Sequence, residues 1–416
     1  MMNFFEELEW RGLVKDVAHK EEFLKRLNKP ITLYCGFDPT AESLHIGHLQ
    51  QLILLKRFQL NGHHPIALVG GGTGMIGDPR PTTERKMLSA EDLMHNVQCI
   101  GSQIDAILAS DDNPVTLVNN YDWLKSMNII DFLRDYGKFF SVSTMIAKDT
   151  IAKRLETGIS FTEFSYTILQ AVDYLHLLEN YDVRLQFGGS DQWGNLVSGL
   201  ELIRKVKGIE EEAFAMTSPL ITKSDGTKFG KSEGQNVWLN ADYTSPYEFY
   251  QYLINVSDDD VINFMKRLSL KPVSEIQEIE AAFVKAPHER LAQKELATEL
   301  TRIVHGQEGL DNALKMTKAF FSGDLSELSA QQVKALFHHQ TPYTLDKDSA
   351  LLDVLVNAQF VPSKREARQL ITSNAIRVNG EVVNDLEYVL SKEQAIDGEI
   401  SVIRRGKKTY HVVIHG

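Results

Sequence analysis

The feature that most constrains the fold is an alternation, between residues 31 and 200, of short apolar runs with amphipathic stretches of helical length. Such alternation is typical of a parallel sheet covered by helices, because parallel strands need long crossover connections. It predicts strands over 31–36, 65–69, 115–119 and 184–187, and helices over 49–59, 90–108 and 165–180. We therefore expect a doubly wound α/β domain, which binds its ligand at the carboxyl ends of the strands.

The rest of the chain changes character twice, so the 416 residues form more than one domain. Residues 245–322 are helical in pattern, with helices predicted over 246–254 and 288–304. Residues 351–371 fit two short helices, and the Asn379-Gly380 dipeptide favours a hairpin within 375–383. We predict a Rossmann-like domain over 1–222, an all-α domain that begins with a lysine-rich loop over 223–322, a linker over 323–349 and a small α+β domain over 350–416.

Charge and cysteine content narrow the class of protein. The chain has 44 Lys and Arg against 56 Asp and Glu, which argues against a uniformly basic surface for non-specific nucleic-acid binding. Residues 350–416 carry nine basic and eight acidic residues, so the acidic excess lies in residues 1–349. Two cysteines exclude a cysteine zinc cluster and favour a reducing compartment. An acidic start and the lack of an 18-residue apolar run predict a cytoplasmic protein without a membrane span.

A histidine pair follows the first predicted strand. The motif HIGH at residues 45–48 opens a predicted helix, so His45 and His48 share one face at its N-terminus. Free N–H groups and the helix dipole favour an anion there, imidazoles can donate to phosphate oxygens, and Gly47 allows close approach of a flat base. The pair predicts a phosphate site; satisfied histidines in a capped helix, or half of a metal site, are the alternatives.

A second candidate phosphate-binding element is the loop at residues 223–232, which places Lys228 and Lys231 among small residues. A mobile loop with two lysines and the Ser232 hydroxyl can close on a polyphosphate and neutralise the leaving group. An ordinary solvated loop is the alternative.

Three polar residues mark one side of the helix predicted over 165–180. Tyr166, Gln170 and Asp173 lie at i, i+4 and i+7, within about 60° on a helical wheel, while apolar residues fill the other sides. Such a stripe faces solvent or a ligand, because buried polar groups need partners.

One competing motif points to a different enzyme class. Residues 72–77, GTGMIG, match the dinucleotide fingerprint GxGxxG after a predicted strand. That fingerprint needs a helix directly after the glycines, whereas two prolines interrupt residues 78–81. A dehydrogenase is therefore the less favoured hypothesis.

The motifs HIGH and KFGKS (228–232) together resemble the paired signatures of class I aminoacyl-tRNA synthetases, although KFGKS departs from KMSKS at two positions. Over essentially its whole length the chain resembles the bacterial tyrosyl-tRNA synthetases, in the segments YCGFDPT (34–40), GTGMIGDP (72–79), VNNYDW (118–123) and QFGGSDQW (186–193). The resemblance implies an enzyme that activates L-tyrosine with ATP to tyrosyl adenylate and pyrophosphate. The implied enzyme then transfers tyrosine to the 3′-terminal adenosine of tRNA(Tyr).

The resemblance also implies roles for individual residues. The phenol hydroxyl of tyrosine would be held by Tyr34 and Asp173, and its α-ammonium group by Asp78, Tyr166 and Gln170. The residues implied at ATP or the adenylate are Cys35, Gly36, Asp38, Gly47, Gly189, Asp191 and Lys231. The residues implied in catalysis are Thr40, His45, His48, Lys228, Lys231 and Ser232.

The resemblance further implies Mg²⁺ accompanying ATP, although no residue pattern identifies a protein ligand and no metal site is predicted. It implies a homodimer with one tRNA reaching across both subunits. Arg80 stands where relatives often carry lysine, which leaves its role open.

The last domain carries a basic pattern. It resembles the small RNA-binding module first described in ribosomal protein S-four, which grips structured RNA through shape and phosphate contacts. The residues implied to bind RNA are Lys364, Arg365, Arg368, Arg404, Arg405, Lys407 and Lys408. A solvated basic face is the alternative.

Two further hypotheses remain beside the dehydrogenase. One is an RNA-binding protein whose catalytic domain is inactive, although the signature lysines and histidines are all present. The other is a tryptophan-specific relative, which Tyr34 with Asp173 disfavours because an indole offers a donor but no acceptor.

Overall fold

A computed structural model describes residues 2–79, 87–155, 158–232, 235–406 and 409–416, with the backbone alone for 149, 150 and 232. The chain forms two compact units. Unit 1 comprises residues 1–244 and 252–304, and unit 2 comprises residues 245–251 and 305–416. No helix in the described part of the chain is long and apolar enough to cross a membrane.

A six-stranded sheet forms the centre of unit 1. Its strands are β1 (Val17–Ala18), β2 (Thr32–Phe37), β3 (His64–Val69), β4 (Thr116–Asn119), β5 (Val183–Gly189) and β6 (Phe214–Ser218), and β7 (Lys231–Ser232) pairs separately with β8 (Gln235–Asn236). The sheet order is β1-β6-β5-β2-β3-β4, with β1 antiparallel and the other neighbours parallel. The chain builds outward from β2 through β3 to β4, then resumes on the other side at β5. The strand order therefore reverses between β2 and β5, the point at which open α/β sheets bind ligands.

The helices of the described residues are numbered here in chain order. They are α1 (Phe4–Trp10), α2 (Lys20–Arg26), α3 (Ile46–Leu60), α4 (Ala90–Leu108), α5 (Tyr121–Leu124), α6 (Ile129–Asp131), α7 (Val142–Ile146), α8 (Asp149–Leu155), α9 (Phe161–Tyr181), α10 (Trp193–Lys207), α11 (Pro246–Ile254), α12 (Asp258–Leu268), α13 (Val273–Lys285), α14 (Leu291–Ser322), α15 (Ala330–Leu336), α16 (Leu351–Asn357) and α17 (Lys364–Thr372). Non-helical backbone at Gly306 interrupts α14.

Side-chain caps explain where the long helices of unit 1 start. Ser89 accepts from the backbone N–H of Asp92 at the start of α4, and Ser160 accepts from that of Glu163 at the start of α9. Each serine satisfies an N–H group that the helix itself leaves unpaired. Helix α9 then packs its apolar side against α10 and the sheet, within a cluster that includes Ala171, Leu175 and Leu178. This packing holds the polar stripe of α9 in a fixed position.

Unit 2 contains a second sheet, in the order β12-β11-β14-β15-β9. Its strands are β9 (Tyr343–Leu345), β11 (Ile376–Val378), β12 (Glu381–Val383), β14 (Ile400–Arg405) and β15 (Thr409–His415), and β10 (Ser349–Ala350) pairs separately with β13 (Val389–Leu390). The predicted hairpin is present: β11 and β12 are joined by Asn379 and Gly380, at φ 51° and 101°. Both values are positive, as a type I′ turn requires.

The segment 323–349, predicted to be a linker, is folded structure, which corrects that prediction. It contains α15 and β9, and β9 pairs in parallel with β15 at the far end of the sequence. The side chains of Val333 and Leu345 are buried in the two cores of unit 2. Pairing with a strand about seventy residues away leaves no local signal in a three-residue segment, so sequence periodicity did not predict it.

Candidate active site

A cavity of about 460 Å³ lies in unit 1 at the carboxyl ends of β2 and β5. Its location agrees with the expectation for a doubly wound sheet. Most of the predicted substrate and nucleotide residues line it: Tyr34, Cys35, Gly36, Asp38, Thr40, His45, Gly47, His48, Asp78, Tyr166, Gln170, Asp173, Gly189, Asp191 and Lys228. The fold thus gathers into one cavity residues that are distant in the sequence.

One end of the cavity is polar and buried. Tyr34, on β2, is 1% exposed, and among the described residues its hydroxyl has no hydrogen-bond partner. Asp173, on α9, is 2% exposed and accepts from Asn120 Nδ2 at 3.0 Å and Trp123 Nε1 at 2.8 Å. Burial raises the pKa of Asp173 to about 7, against the opposing effect of these two donors. A hydroxyl and a carboxyl group therefore face the same small volume.

Carboxylates and amides occupy the middle of the cavity. Asp38 accepts from the hydroxyl groups of Tyr166 at 2.9 Å and Thr73 at 2.9 Å. Asp78 accepts from Gln192 Nε2 at 2.8 Å and Asn195 Nδ2 at 3.2 Å. These hydrogen bonds hold both carboxylates in place. An ammonium group of a ligand would therefore meet acceptors that are already positioned.

Two side-chain amide oxygens in the same cavity can accept a hydrogen bond from a ligand. The side-chain oxygens of Gln170 and Gln186 are buried without a hydrogen-bond partner among the described residues. A buried acceptor left unpaired costs about 1–3 kcal/mol, so a ligand that donates to it gains that amount. The stripe predicted on α9 does face this cavity, since all three of its members line it.

The histidine pair is neutral, and backbone hydrogen bonds fix its tautomer. The backbone N–H of Gly47 donates to His45 Nδ1 at 3.1 Å, and that of His45 donates to His48 Nδ1 at 3.2 Å. Because Nδ1 accepts in both rings, each neutral imidazole carries its proton on Nε2. Burial lowers the pKa of His45, with Lys228 and Lys231 acting in the same direction, and it lowers the pKa of His48 to about 3. The two rings stack 3.9 Å apart as uncharged N–H donors.

The lysine loop is fastened beside the histidines. Phe229 is buried and packs against Phe264 and Tyr252, with ring centroids 4.4 and 5.5 Å away. Gly230 has φ 102°, and a Cβ there would lie 2.8 Å from Ile46 Cγ2. The two departures from KMSKS are therefore an apolar anchor and a glycine that approaches the start of α3 closely.

The cations of this loop differ in position. Lys228 lines the cavity, whereas Lys231 is exposed at the start of β7 and does not line it. The side chain of Ser232 lies outside the described residues, as does Arg80. Lys231 nevertheless acts electrostatically on His45. The loop thus supplies positive charge next to two neutral donors.

Cys35 and Gly189 also line the cavity. Burial raises the pKa of the Cys35 thiol to about 12, so it is a packing or contact residue and no nucleophile at neutral pH. The other cysteine, Cys99, is half-buried and lies outside the cavity lining. At Gly189 a Cβ would meet Asp191 Oδ1 at 2.5 Å, so a side chain there would displace the Asp191 carboxylate from its present position.

The glycine-rich segment after β3 has a different use from a dinucleotide loop. A Cβ on Gly70 would lie 2.3 Å from Asp38 Oδ1, and one on Gly71 would lie 2.3 Å from Asn119 Oδ1. Within the described residues 72–79 the only helical element is a single 3₁₀ turn, Thr73–Met75. Gly70 and Gly71 let the backbone pack closely against Asp38, which lines the cavity, and against Asn119. The helix of the dinucleotide fingerprint is missing from that described stretch.

Sequence reasoning assigned no role to four residues that shape the cavity. Asn120 donates to both Asp173 and Thr73, and Thr73 donates to Asp38, so these two residues connect the carboxylates. Trp123 donates to Asp173 alone, and Gln186 presents a buried oxygen. A polar residue within a buried run predicted as a strand is the signal that would have found Gln186. The others follow strands β3 and β4 closely, as cavity residues of this fold do.

The predicted RNA-binding residues lie in unit 2 and differ in their contacts. Arg365 and Arg368 are exposed on α17 and have no ion-pair partner among the described residues. The others described are engaged: Lys364 with Asp353, Arg405 with Glu366, and Arg404 over the ring of Tyr410. Lys407 and Lys408 lie outside the described residues.

Arg377 is a basic residue of unit 2 that was not among the predicted RNA-binding residues. Arg377 is exposed on β11 directly opposite Arg404 on β14, between the buried Ile376 and Val378. Its position follows from the alternation of a half-buried strand, which was available in the sequence.

Comparison with known proteins identifies the class of enzyme to which this fold belongs. Residues 25–322 match the family model of class I tRNA synthetases (W and Y), and the chain belongs to that family. Residues 332–413 match the model of the C-terminal domain found in tyrosine–tRNA ligases.

Named relatives narrow the likeness further. The chain is 49% identical to tyrosine–tRNA ligase 1 of Bacillus cereus over 99% of its length and 100% of the relative's. It is 49% identical to tyrosine–tRNA ligase of Listeria welshimeri, over 99% of both chains. A C-terminally truncated mitochondrial tyrosyl-tRNA synthetase of Aspergillus nidulans superposes with a TM-score of 0.71 at 29% identity, over 77% of this chain and 95% of that one.

Proposed function

We propose that this chain is a tyrosine–tRNA ligase, which activates L-tyrosine with ATP and transfers it to the 3′-terminal adenosine of tRNA(Tyr). The observation that carries the proposal is the buried pair at one end of the cavity, Tyr34 and Asp173. A phenol hydroxyl can donate to the Asp173 carboxylate and accept from Tyr34, so it satisfies both groups at once. The family alone leaves this choice open, because its model covers enzymes for tryptophan and for tyrosine.

Other aromatic amino acids fit this pair poorly. Phenylalanine leaves the Tyr34 hydroxyl buried without a partner and donates nothing to Asp173, and tryptophan offers an N–H but no acceptor for Tyr34. Each buried group left unpaired costs about 1–3 kcal/mol. The cavity therefore selects tyrosine, because another aromatic amino acid would leave the buried Tyr34 hydroxyl without a hydrogen-bond partner. Replacement of Asp173 by alanine should reduce discrimination against phenylalanine.

The α-ammonium and carboxylate groups of tyrosine then extend toward the middle of the cavity. Asp78, Tyr166 and Gln170 hold the ammonium group in this proposal, supported by the unpaired Gln170 oxygen and the fixed Asp78 carboxylate. The tyrosine carboxylate is ionised at neutral pH and needs no general base.

The reaction is an in-line attack of this carboxylate on the α-phosphorus of ATP, with pyrophosphate leaving. His45 and His48 donate Nε2–H to the polyphosphate, Thr40 adds its hydroxyl, and Lys228, Lys231 and Ser232 close from the loop. Positioning and charge stabilisation carry the catalysis. Mg²⁺ accompanies ATP and neutralises polyphosphate charge, as it does for nucleotide substrates in general.

The nucleotide lies at the carboxyl ends of β2 and β5, where the strand order reverses. Cys35, Gly36 and Asp38 contact it from β2 and the turn that follows, Gly47 faces the base, and Gly189 with Asp191 holds the ribose. The close approach of the Asp191 carboxylate to Gly189 supports this placement. A terminal ribose hydroxyl of tRNA then attacks the adenylate carbonyl, and AMP leaves.

In unit 2, tRNA(Tyr) binds through Lys364, Arg365, Arg368, Arg404, Arg405, Lys407 and Lys408. The free guanidinium groups of Arg365 and Arg368 support this role. Two cysteines without a disulfide are consistent with our placement of the enzyme in the reducing cytoplasm.

The enzyme works as a homodimer, with one tRNA reaching across both subunits. Seven apolar side chains in the described part of residues 129–161 are more than a third exposed, and this supports a subunit interface. They are Ile129, Ile130, Leu133, Val142, Ile146, Leu155 and Phe161.

The decisive experiment is ATP–pyrophosphate exchange with each amino acid in turn. We expect exchange with tyrosine and almost none with phenylalanine or tryptophan. Exchange stimulated by tryptophan or phenylalanine, with none from tyrosine, would refute the substrate assignment. Detectable NAD binding without exchange would favour a dehydrogenase, and tRNA binding without exchange would favour an RNA-binding protein with an inactive catalytic domain.

A further inference from the structure

Unit 2 contains a group of metal-ligating side chains whose chemistry differs from that of the cavity in unit 1. Glu248 in the first turn of α11, and His338 and His339 just after α15, each present a ligand atom, and these atoms lie within 4.8 Å of one another. Among the described residues this is the one group of three such side chains found that close together. The three residues take no part in the chemistry proposed above.

Neighbouring atoms fix two of the three ligands. Glu248 Oε2 accepts from the backbone N–H and the hydroxyl of Ser245, both at 2.8 Å, which leaves Oε1 to face the histidines. His338 Nδ1 lies 3.0 Å from the carbonyl oxygen of Ala335. A carbonyl oxygen only accepts, so Nδ1 carries the proton and donates it. Outer partners of this kind orient the carboxylates and imidazoles of metal sites.

The orientation of His338 turns a lone pair toward a carboxylate. In the neutral tautomer with the proton on Nδ1, Nε2 of His338 has a free lone pair and lies 3.3 Å from Glu248 Oε1. Two acceptors at that distance repel unless a cation sits between them. A tetrahedral Zn²⁺ site, with bonds of about 2.0–2.2 Å, separates neighbouring ligand atoms by about 3.4 Å. The observed separation of 3.3 Å is compatible with that geometry.

We propose that Glu248, His338 and His339 bind one divalent transition-metal ion of the Zn²⁺ class, with water completing the coordination. Two imidazoles and a carboxylate form a donor set that suits zinc and its neighbours better than Mg²⁺ or Ca²⁺, which prefer oxygen ligands. The ion would link the start of α11 to the turn after α15 within unit 2. Its role is structural, because it lies among residues that the aminoacylation chemistry does not use.

The sequence did not indicate this site, since Glu248 lies ninety residues before His338 and two adjacent histidines in a segment predicted as a connector carry no metal-ligand spacing. The ion is also distinct from the Mg²⁺ that accompanies ATP. The site can therefore be tested in the absence of nucleotide.

The test is a titration of the full chain, without a polyhistidine tag, with Co²⁺ alone. We expect one equivalent to bind with the visible absorption of a low-symmetry cobalt site, and Zn²⁺ to displace it. His338→Ala, His339→Ala and Glu248→Gln should each weaken the Co²⁺ affinity at least tenfold. In a second measurement, Zn²⁺ should raise the thermal midpoint of the parent chain and leave that of His338→Ala unchanged.

The control is His95→Ala. The exposed His95 lies 3.5 Å from Cys99 and 3.7 Å from Glu42, in unit 1 and outside the proposed site. We expect this variant to bind Co²⁺ as the parent does. Loss of the signal in His95→Ala, its persistence in His338→Ala, or failure of the parent to bind one equivalent would each overturn the proposal. In the last case a proton alone bridges His338 and Glu248.

Discussion

At the scale of single residues, Asp173 is a carboxyl group that changes charge within the usual range of enzyme assays. Burial raises its pKa to about 7, so lowering the pH from 8 to 6 converts it from mostly ionised to mostly protonated. The protonated form loses the negative acceptor for the phenol hydroxyl. We predict that kcat/KM for tyrosine in the exchange reaction falls about tenfold over this range, on a single ionisation near pH 7.

The variant Asp173→Asn isolates this effect. An amide of the same shape has no charge to lose, so kcat/KM should be lower throughout and independent of pH between 6 and 8. A pH profile in Asp173→Asn that matches the parent would show that another group titrates.

His48 tests the neutral-donor role of the histidine pair. Its pKa of about 3 keeps the ring uncharged, with Nε2–H directed by the bond that Nδ1 accepts. We predict that His48→Ala slows adenylate formation about 10- to 100-fold, the loss of one hydrogen bond of about 1.5–3 kcal/mol to a charged acceptor. Tyrosine affinity should change little. Rapid-quench measurement of the adenylate, beside equilibrium binding of tyrosine, separates the two quantities.

The matched control is His64→Ala, since His64 is exposed at the start of β3 and outside the cavity lining. It should form adenylate at the parental rate. An equal loss in tyrosine affinity and in rate for His48→Ala would contradict a role confined to the phosphates.

At the scale of elements, the loop between β6 and β7 depends on one glycine. A Cβ at Gly230 would overlap Ile46 Cγ2 at 2.8 Å, and the backbone there has φ 102°. Gly230→Ala must therefore push the loop away from the start of α3. We predict a loss of at least tenfold in the rate of adenylate formation, measured by pre-steady-state kinetics, with tyrosine binding retained.

Gly226 in the same loop provides the control. It also has positive φ, 81°, but an added Cβ would meet no atom within 4 Å. Gly226→Ala carries about 1–3 kcal/mol of backbone strain without the overlap. Similar kinetic losses in both variants would mean that strain in the loop, and not contact with α3, sets the rate.

Some elements could be predicted closely from the sequence. Helix α4 matches its predicted bounds, because its apolar period is strong and Ser89 caps it. The strands β2, β3, β4 and β5 lie within a residue or two of prediction, since short buried runs between helices leave a clear pattern. The two-residue edge strand β1 and the buried β6 were not predicted. Strand β1 is defined only by its pairing with β6, about two hundred residues away.

The candidate site likewise has some features that the sequence predicts and others that it does not. The stripe of Tyr166, Gln170 and Asp173 follows from helical geometry, and the structure does bring it to the cavity. The donors to Asp173, Asn120 and Trp123, come from another strand end and depend on the packing of α9 against the sheet. Such contacts between distant segments follow from tertiary structure and have no local pattern.

At the scale of the whole molecule, the charge distribution sets how tRNA is gripped. The acidic excess lies in residues 1–349, so local cations must supply the phosphate contacts. We predict that Arg365→Ala with Arg368→Ala raises KM for tRNA(Tyr) several-fold. The dependence of log(kcat/KM) on log salt should become shallower by roughly 0.7–0.9 for each phosphate that is no longer neutralised.

Two control measurements accompany this prediction. Pyrophosphate exchange, which does not involve tRNA, should be unchanged in the double variant. Lys25→Ala with Lys29→Ala, which removes two exposed cations from unit 1, should leave the salt dependence intact. An unchanged KM for tRNA in the arginine variant would refute the RNA-binding role of α17.

Assembly is the second property of the whole molecule. Phe161 is 73% exposed, the highest value in the apolar group between residues 129 and 161. We predict that Phe161→Asp shifts sedimentation from dimer toward monomer at micromolar concentration. Ile209→Asp, at a position 72% exposed outside that group, should sediment as the parent does. A parent chain that sediments as a monomer would contradict the dimer.

The two thiols have a practical consequence. Cys35 is buried with its pKa raised to about 12, whereas Cys99 is half-buried and outside the cavity. A maleimide dye at neutral pH reacts with thiolate, and therefore with Cys99 in preference to Cys35. The unaltered chain thus offers one preferred attachment site for a fluorophore, on α4 and outside the cavity lining, so labelling requires no change to the residues proposed in catalysis.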